Sequence, residues 1–336
     1  MGKTYTLQVL TDDCFSSLDI ALFSAGGSIS EKFAPIAAKA GCIVVDNSSC
    51  FRMDPDTPLI VPEVNPHAAA GHKGILANPN CTTIIMNVPV FPLHKAFGVK
   101  RAVVSTYQAA SGAGLDAMKE LEQQAKDWVS GEEVLTQEIF GRQYLWNLFS
   151  HNSDIYLDSG YNEEEWKMVE ETPKIFETPF SVAVTCIRVP VLRAHCESVN
   201  LEFDRKVTME EVRAVLDAAP GVRVVDDRAN NKHPEPLDAS EQEDILVGRL
   251  RYDNTRGTPT DGYTGIEMFI AGDQLLKGAA QNAVQIAELC KFVSVVFVSL
   301  VVPLRLVVPL RLCRLIVQCW RSSDGEDTVI LDIDNI

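Results

Sequence analysis

The first part of the chain alternates short, wholly apolar runs with turns and helix-like stretches, and this alternation constrains the fold most. Ile20-Ala21-Leu22-Phe23 ends in Ser24-Ala25-Gly26-Gly27-Ser28 and is followed by a helical pattern from Ile29 to Ala40, closed by Gly41. Cys42 to Val45 ends in Asp46-Asn47-Ser48-Ser49-Cys50-Phe51-Arg52, and a further apolar run lies in Leu59 to Pro66. Gly74 to Ala77 runs through Asn78-Pro79-Asn80 into a helical pattern from Thr82 to Phe97. Runs this short, apolar throughout and separated by helices, fit strands of a parallel sheet buried on both faces. Ligands in such sheets bind at the carboxyl ends of the strands, which gathers segments 24–28, 46–52 and 78–83 on one edge. The glycine turn after Phe23 suits a phosphate cradle and suits equally a simple tight turn.

Within that plan Cys81 falls at a helix N-terminus. Unpaired N–H groups and the positive end of the helix dipole favour a thiolate there, and would also hold an oxyanion on a neighbouring carbon. A lone cysteine in the same place is equally a small core residue. A second glycine-bearing turn, Gln108-Ala109-Ala110-Ser111-Gly112-Ala113-Gly114, follows a strand at Ala102 to Tyr107 and precedes a helix at Leu115 to Val129. Residues 150–176 read as helix or loop, with Glu163-Glu164-Glu165 as a solvated helix start.

From Ser181 the pattern changes. Runs at 182–189, 197–203, 222–225, 245–250 and 265–271 have strand composition, broken by one helix at Thr208 to Ala218 whose Thr208 and Glu211 form a capping-box pair. Successive strands with few helices between them indicate a mainly antiparallel sheet. A face of such a sheet left over serves as a subunit interface, so a homodimer is expected. A last helix is expected from Asp273 to Cys290. Beyond it lie an apolar run, Val293 to Val302, and a directly repeated VVPLRL at 301–306 and 307–312. Pro303, Arg305, Pro309, Arg311 and Arg314 interrupt this tail before it reaches the length of a membrane span, so a membrane role is not expected.

The formal net charge of −16 argues against nucleic acid or an anionic membrane as partner, and leaves any anionic small ligand to a few placed cations. Nine cysteines without CxxC spacing point to free thiols in a reducing compartment and to no metal site.

Taken in order and spacing, IALFSAGGS, VVDNSSCFRMD, PEVNP, ANPNCTT, STYQAASGAG, CIRVPVLRAH and GDQLLKGAAQNAVQIAE resemble the aspartate-semialdehyde dehydrogenases of the bacterial and plant type that use NADP. The resemblance runs from about Leu18 to Cys290 and gives each position above a role. It implies Cys81 as the nucleophile that forms a thioacyl intermediate and His195 as the acid/base. Arg188 would pair with the substrate carboxylate, Glu171 with the substrate amine, and Gln108 would position the substrate. Arg52 and Lys174 would bind phosphate. Ser24, Gly26, Ser111, Gly112 and Asn282 would contact NADP.

The implied fold is an α/β plus α+β molecule. Residues 1–80 and 273–290 would form a Rossmann-like NADP-binding domain, 81–272 a catalytic and dimerisation domain with a mixed sheet, and 291–336 an atypical tail. The implied reaction is the reversible NADP-dependent reductive dephosphorylation of aspartyl 4-phosphate to aspartate 4-semialdehyde, in the cytoplasm or a plastid stroma. Two rival readings are a chain that pairs with a full-length subunit without turnover, and a related acyl-phosphate reductase acting on N-acetylglutamyl phosphate.

The chain departs from the family in three places. No strand, glycine-rich turn and helix precede Tyr5, so the Rossmann-like domain is expected to be incomplete, to bind NADP weakly and to leave a strand edge exposed. Pro173 stands beside Lys174 where the family usually has a basic residue, and the tail after Cys290 has no family counterpart.

Overall fold

The computed structural model describes residues 8–179, 181–290, 315–317 and 329–333; the apolar run and the VVPLRL repeats of the tail lie outside them. The chain divides into two compact units, one of residues 1–79 with 282–336 and one of residues 80–281.

In the first unit β1 (Gln8–Val9), β2 (Ile20–Phe23), β3 (Ile43–Asp46) and β4 (Ile75–Ala77) lie in one sheet with two strands introduced below. β2, β3 and β4 are parallel neighbours, registered from Ile20 opposite Ile43 to Phe23 opposite Asp46, and from Val44 opposite Ile75 to Asp46 opposite Ala77. All four residues of β2 are buried. Alternate side chains serve opposite faces, as the period of a strand requires. Ala21 and Phe23 pack with Phe33, Ala34 and Ala37 of α1 (Gly27–Lys39). Ile20 and Leu22 pack with Ala283, Ile286 and Ala287 of the helical residues 281–290. The run at Leu59 to Pro66 makes no strand, only a single parallel bridge from Leu59 to Ala77. Pro58, Pro62 and Pro66 carry no N–H for a ladder, and Val61 to Asn65 turns back on itself through the Asn65 side chain.

The second unit opens with α2 (Cys81–Phe97), whose residues are buried on nearly every side. Strands β5 (Val99–Gln108), β6 (Phe149–Ser150), β7 (Ser181–Arg188), β8 (His195–Val207), β9 (Val222–Val224), β10 (Ile245–Tyr252), β11 (Gly257–Thr258) and β12 (Gly262–Gly272) follow. Helices α3 (Leu115–Ser130), α4 (Glu163–Phe176) and α5 (Met209–Asp217) lie between them. The sheet order is β6-β7-β5-β8-β12-β10-β9, with β11 beside β12. It is mixed: β5 runs parallel to β7, β9 parallel to β10, and the β5–β8, β8–β12 and β10–β12 pairs are antiparallel. Residues 195, 197, 199, 201 and 203 of β8 are buried, whereas Ser198, Asn200 and Glu202 on the opposite face are half-buried.

The helix expected from Asp273 is regular only over 281–290; Leu276–Ala280 forms a π-helical turn. The expected capping box at Thr208 is present, with Thr208 Oγ1 accepting from Glu211 N.

In the first unit the edge of β2, expected to be exposed, is paired. β13 (Leu315–Val317) lies parallel to it, with Leu315 opposite Ile20 and Val317 opposite Leu22. β14 (Val329–Ile333) pairs antiparallel with β13 and carries β1 on its far side. A buried apolar strand presents unpaired N–H and C=O groups along its edge, and an apolar segment that matches its length satisfies them. No helix among the described residues is long and apolar enough to cross a membrane.

Glu165 fastens α4 to the second sheet. One carboxylate oxygen accepts from Asn162 N at 2.9 Å in a capping box, and the other accepts from Cys186 N of β7, also at 2.9 Å. Glu165→Ala strands two buried donors and is expected to lower stability by about 2–4 kcal/mol in urea unfolding. Glu163→Ala breaks only an exposed i,i+4 pair with Lys167 and is expected to cost less than about 0.5 kcal/mol.

Candidate active site

Four strands of the second unit set the site by register. Arg188 of β7 stands opposite Gln108 of β5, and His195 of β8 stands opposite Gly272 of β12. Two residues back, Cys186, Thr106, Glu197 and Ile270 line up across the same four strands. Side chains two apart share a face, so Arg188, Gln108 and His195 form one row at the end of that face. A Cβ on Gly272 would stand 3.0 Å from Ile85 of α2, so α2 packs on the same face.

Cys81 is the first residue of α2, and the residue before it holds the network together. Asn80 is the N-cap: its Oδ1 accepts from Thr82 N at 3.1 Å and Thr83 N at 3.3 Å. Its own N–H donates to Glu171 Oε2 at 2.7 Å, and its Nδ2 donates to Glu164 Oε1 at 3.0 Å. Gln108 Nε2 donates to that same Glu164 oxygen at 3.0 Å. The next residue, Ala109, donates its N–H to His195 Nδ1 at 3.0 Å and accepts at its carbonyl from Arg188 Nη1 at 3.1 Å. Hydrogen bonds thus link Cys81's cap to Glu171, Glu164 and Gln108, and the peptide bond from Gln108 to Ala109 carries the connection on to His195 and Arg188. Lys174 lies one turn beyond Glu171 on α4, half-buried.

Two glycines leave room here. A Cβ on Gly112 would lie 2.9 Å from both His195 Nε2 and Arg188 Nη1, and one on Gly278 would lie 3.2 Å from Cys81 Cβ. Ser111 accepts from Gln274 Nε2, while Gln274 Oε1 accepts from Ala194 N at 3.0 Å. Ala194 has φ 70°, a left-handed conformation that strains a residue with a Cβ. Asp273 grips the neighbouring Arg193 at 2.8 Å. The GDQ segment therefore holds the backbone that presents His195.

Electrostatics sort the protonation states. His195 is fully buried, and burial, with the Arg188 charge added, lowers its pKa to about 3. The ring is neutral, and because Ala109 N–H faces Nδ1 the proton resides on Nε2, which has no partner among the described residues. Burial works to raise the Glu164 pKa, yet His151, Lys167 and the donors Asn80 and Gln108 outweigh it and hold the group at about 2, ionised. Burial alone pushes the Glu197 carboxyl well up, one row behind His195.

In the first unit Ser24, Arg52 and Asn282 form a separate polar cluster at the carboxyl ends of β2, β3 and β4. Arg52 donates to Asn78 O at 2.9 Å and to Asn47 O at 3.0 Å. Asn282 Nδ2 donates to Asn78 Oδ1 at 2.7 Å and to Ile60 O at 3.0 Å, and Asn47 Nδ2 donates to Ser24 Oγ at 3.3 Å. Gly26, at φ 99°, precedes α1, whose start has no side-chain cap.

Sequence reading missed Asn80, Glu164, His151 and Gln274. Glu164 and Glu165, expected to be solvated, are both buried, because a helix start placed under a sheet end recruits carboxylates as acceptors for buried donors. The asparagine before Cys81 was the one available signal, since Asn is a preferred N-cap. His151 and Gln274 carry no local signature.

The neutral His195 couples stability to pH. Below its unfolded value near 6.5 the unfolded chain takes up a proton that the folded chain refuses, so this contribution is lost as pH falls. Glu197, with its raised pKa, acts in the opposite sense, so the comparison is made with a variant. Between pH 7 and pH 5 the wild type is expected to lose about 2 kcal/mol more than His195→Gln in urea unfolding.

Comparison with known proteins identifies the family. Residues 1–72 match the family "Semialdehyde dehydrogenase, NAD binding domain", and residues 90–277 match "Semialdehyde dehydrogenase, dimerisation domain". An aspartate-semialdehyde dehydrogenase of Synechocystis sp. is 48% identical over 289 residues, covering 86% of this chain and 83% of that protein. One from Bacillus subtilis is 43% identical over 302 residues, covering 88% and 86%. The crystal structure of aspartate-semialdehyde dehydrogenase II from Vibrio cholerae, complexed with ASA, superposes with a TM-score of 0.77 at 42% identity, covering 82% of this chain and 80% of that one. With more than two fifths of its residues shared over most of both lengths, and the two matched domains together spanning most of its sequence, the chain belongs to the aspartate-semialdehyde dehydrogenase family.

Proposed function

We propose that the chain interconverts aspartyl 4-phosphate and aspartate 4-semialdehyde with NADP as cofactor, through a thioacyl intermediate on Cys81, and that it does so as a homodimer. The observation that carries this reading is the placement of a cysteine at the first position of α2, with its cap tied to Glu171 and Glu164 in the network that reaches His195 and Arg188. The helix N-terminus favours the thiolate and stabilises charge forming on the carbon it attacks. In the biosynthetic direction the sulfur adds to the acyl carbon, the carbon–oxygen bond to phosphate breaks, and phosphate leaves with the bonding pair. When bound, the cofactor supplies the hydride that this carbon takes up before the carbon–sulfur bond breaks and the aldehyde is released.

His195 offers its Nε2–H to the carbonyl oxygen as negative charge builds there, a role suited to a ring that stays neutral. Arg188 pairs with the substrate carboxylate in a planar fork. Glu171 takes the substrate ammonium, Gln108 positions the acyl group, and Lys174 meets the phosphate. Arg52 is the phosphate cation of the first unit. The uncapped start of α1, with Gly26 in a conformation open to glycine, fits a cofactor phosphate, and Ser24 and Asn282 stand beside that edge. In the second unit Gly112 borders His195, and Ser111 beside it, held by Gln274, is that unit's other cofactor position. The half-buried face of the second sheet supplies the interface between subunits.

The purified chain is expected to reduce NADP in the presence of aspartate semialdehyde and phosphate, and Cys81→Ala is expected to abolish this; turnover that persists in Cys81→Ala overturns the reading. Gly112→Ala drives a methyl group into His195 and Arg188 and is expected to lower kcat/KM by about 100-fold or more with little change in Tm. Arg188→Lys keeps the charge and loses the fork, and is expected to raise KM for the semialdehyde by about tenfold in steady-state assays.

A further inference from the structure

We propose that His151 is a positioning residue for recognition of the substrate carboxylate: it fixes the Arg188 guanidinium through a neutral acceptor and so leaves the arginine's charge available to the substrate. This rests on the reading of Arg188 given above and extends it to a residue that no family motif identified.

The placement follows from the fold. β6 pairs with β7 so that Phe149 stands opposite Arg188 and Ser150 opposite Ile187, and His151 N then donates to Cys186 O at 2.9 Å. This delivers the imidazole beside the guanidinium, with His151 Nε2 at 2.8 Å from Arg188 Nη2. Arginine is always the donor, so at 2.8 Å Nε2 accepts. Nδ1 then carries the ring proton toward Ser153 Oγ at 3.1 Å, and the Ser153 N–H, at 3.3 Å from the same nitrogen, is the longer, competing contact that the arginine's charge-assisted bond outweighs. Burial lowers the His151 pKa to about 4, which keeps the ring in the form that can accept.

The other tethers of Arg188 are neutral as well. Nη1 donates to Ala109 O at 3.1 Å, and Nε donates to Asn152 Oδ1 at 3.4 Å. Among the described residues no carboxylate forms an ion pair with Arg188. A guanidinium this buried, held on three sides by uncharged acceptors, keeps its full charge in a medium of low dielectric. A carboxylate in the place of His151 would hold the arginine as firmly and cancel the charge the substrate needs. An apolar residue there would leave the charge and lose the orientation.

Three variants separate these effects in steady-state assays with aspartate semialdehyde. His151→Leu removes the acceptor and is expected to raise KM by about tenfold, with kcat changed by less than about threefold. His151→Glu keeps an acceptor but adds charge, and is expected to raise KM at least as much. His151→Gln keeps a neutral acceptor and is expected to restore KM to within about threefold of the wild type. Unchanged KM in both the Leu and Glu variants overturns the proposal, as does a Gln variant no better than Leu. If Leu does not fold, the contrast between Glu and Gln decides alone. If the wild type itself fails to turn over aspartate semialdehyde, the functional reading falls and this inference with it; turnover by the wild type with no effect at 151 overturns this inference only.

Discussion

The second unit depends on Asn80. Its side-chain oxygen caps α2, its backbone N–H is taken by Glu171 and its amide nitrogen by Glu164, so one residue fixes the start of a buried helix and the two carboxylates of α4 beside it. Each of these groups would otherwise be a buried polar orphan, costing about 1–3 kcal/mol apiece. Cys81 next to it is therefore placed by backbone geometry that its surroundings over-determine, and no side-chain contact to the sulfur itself is required to explain the placement.

The sheet supplies the second constraint. Because Arg188, Gln108 and His195 share one row, the distances among them are set by strand spacing, with loop conformation a lesser influence. Burial then divides the titratable groups by kind. Glu164, with donors, stays charged, Glu197, without them, is pushed toward its neutral form, and the two imidazoles stay uncharged next to an arginine that cannot lose its proton.

Much of this was legible in the residues. The parallel core of the first unit followed from runs such as IALF, the helix start at Cys81 from the turn that precedes it, and the Thr208–Glu211 capping box from its spacing. What stayed hidden depends on contacts between distant parts of the chain. Glu164 reads as one acid in an exposed triplet until Asn80 and Gln108 are brought to it, and His151 sits in a stretch whose only local pattern is loop. The bridge at Leu59 shows the converse: the apolar composition was right, but three prolines lacked the donors a strand needs.

The two halves of the first unit's core are far apart in the sequence: Ile20 and Leu22 pack on Ala283, Ile286 and Ala287. The second unit is encoded without interruption between them. On the ribosome it is the second unit that can close first. The opening strands must wait on the order of tens of seconds, with one apolar face uncovered, for the residues that seal it. Order of synthesis and order of folding are thus inverted in this chain.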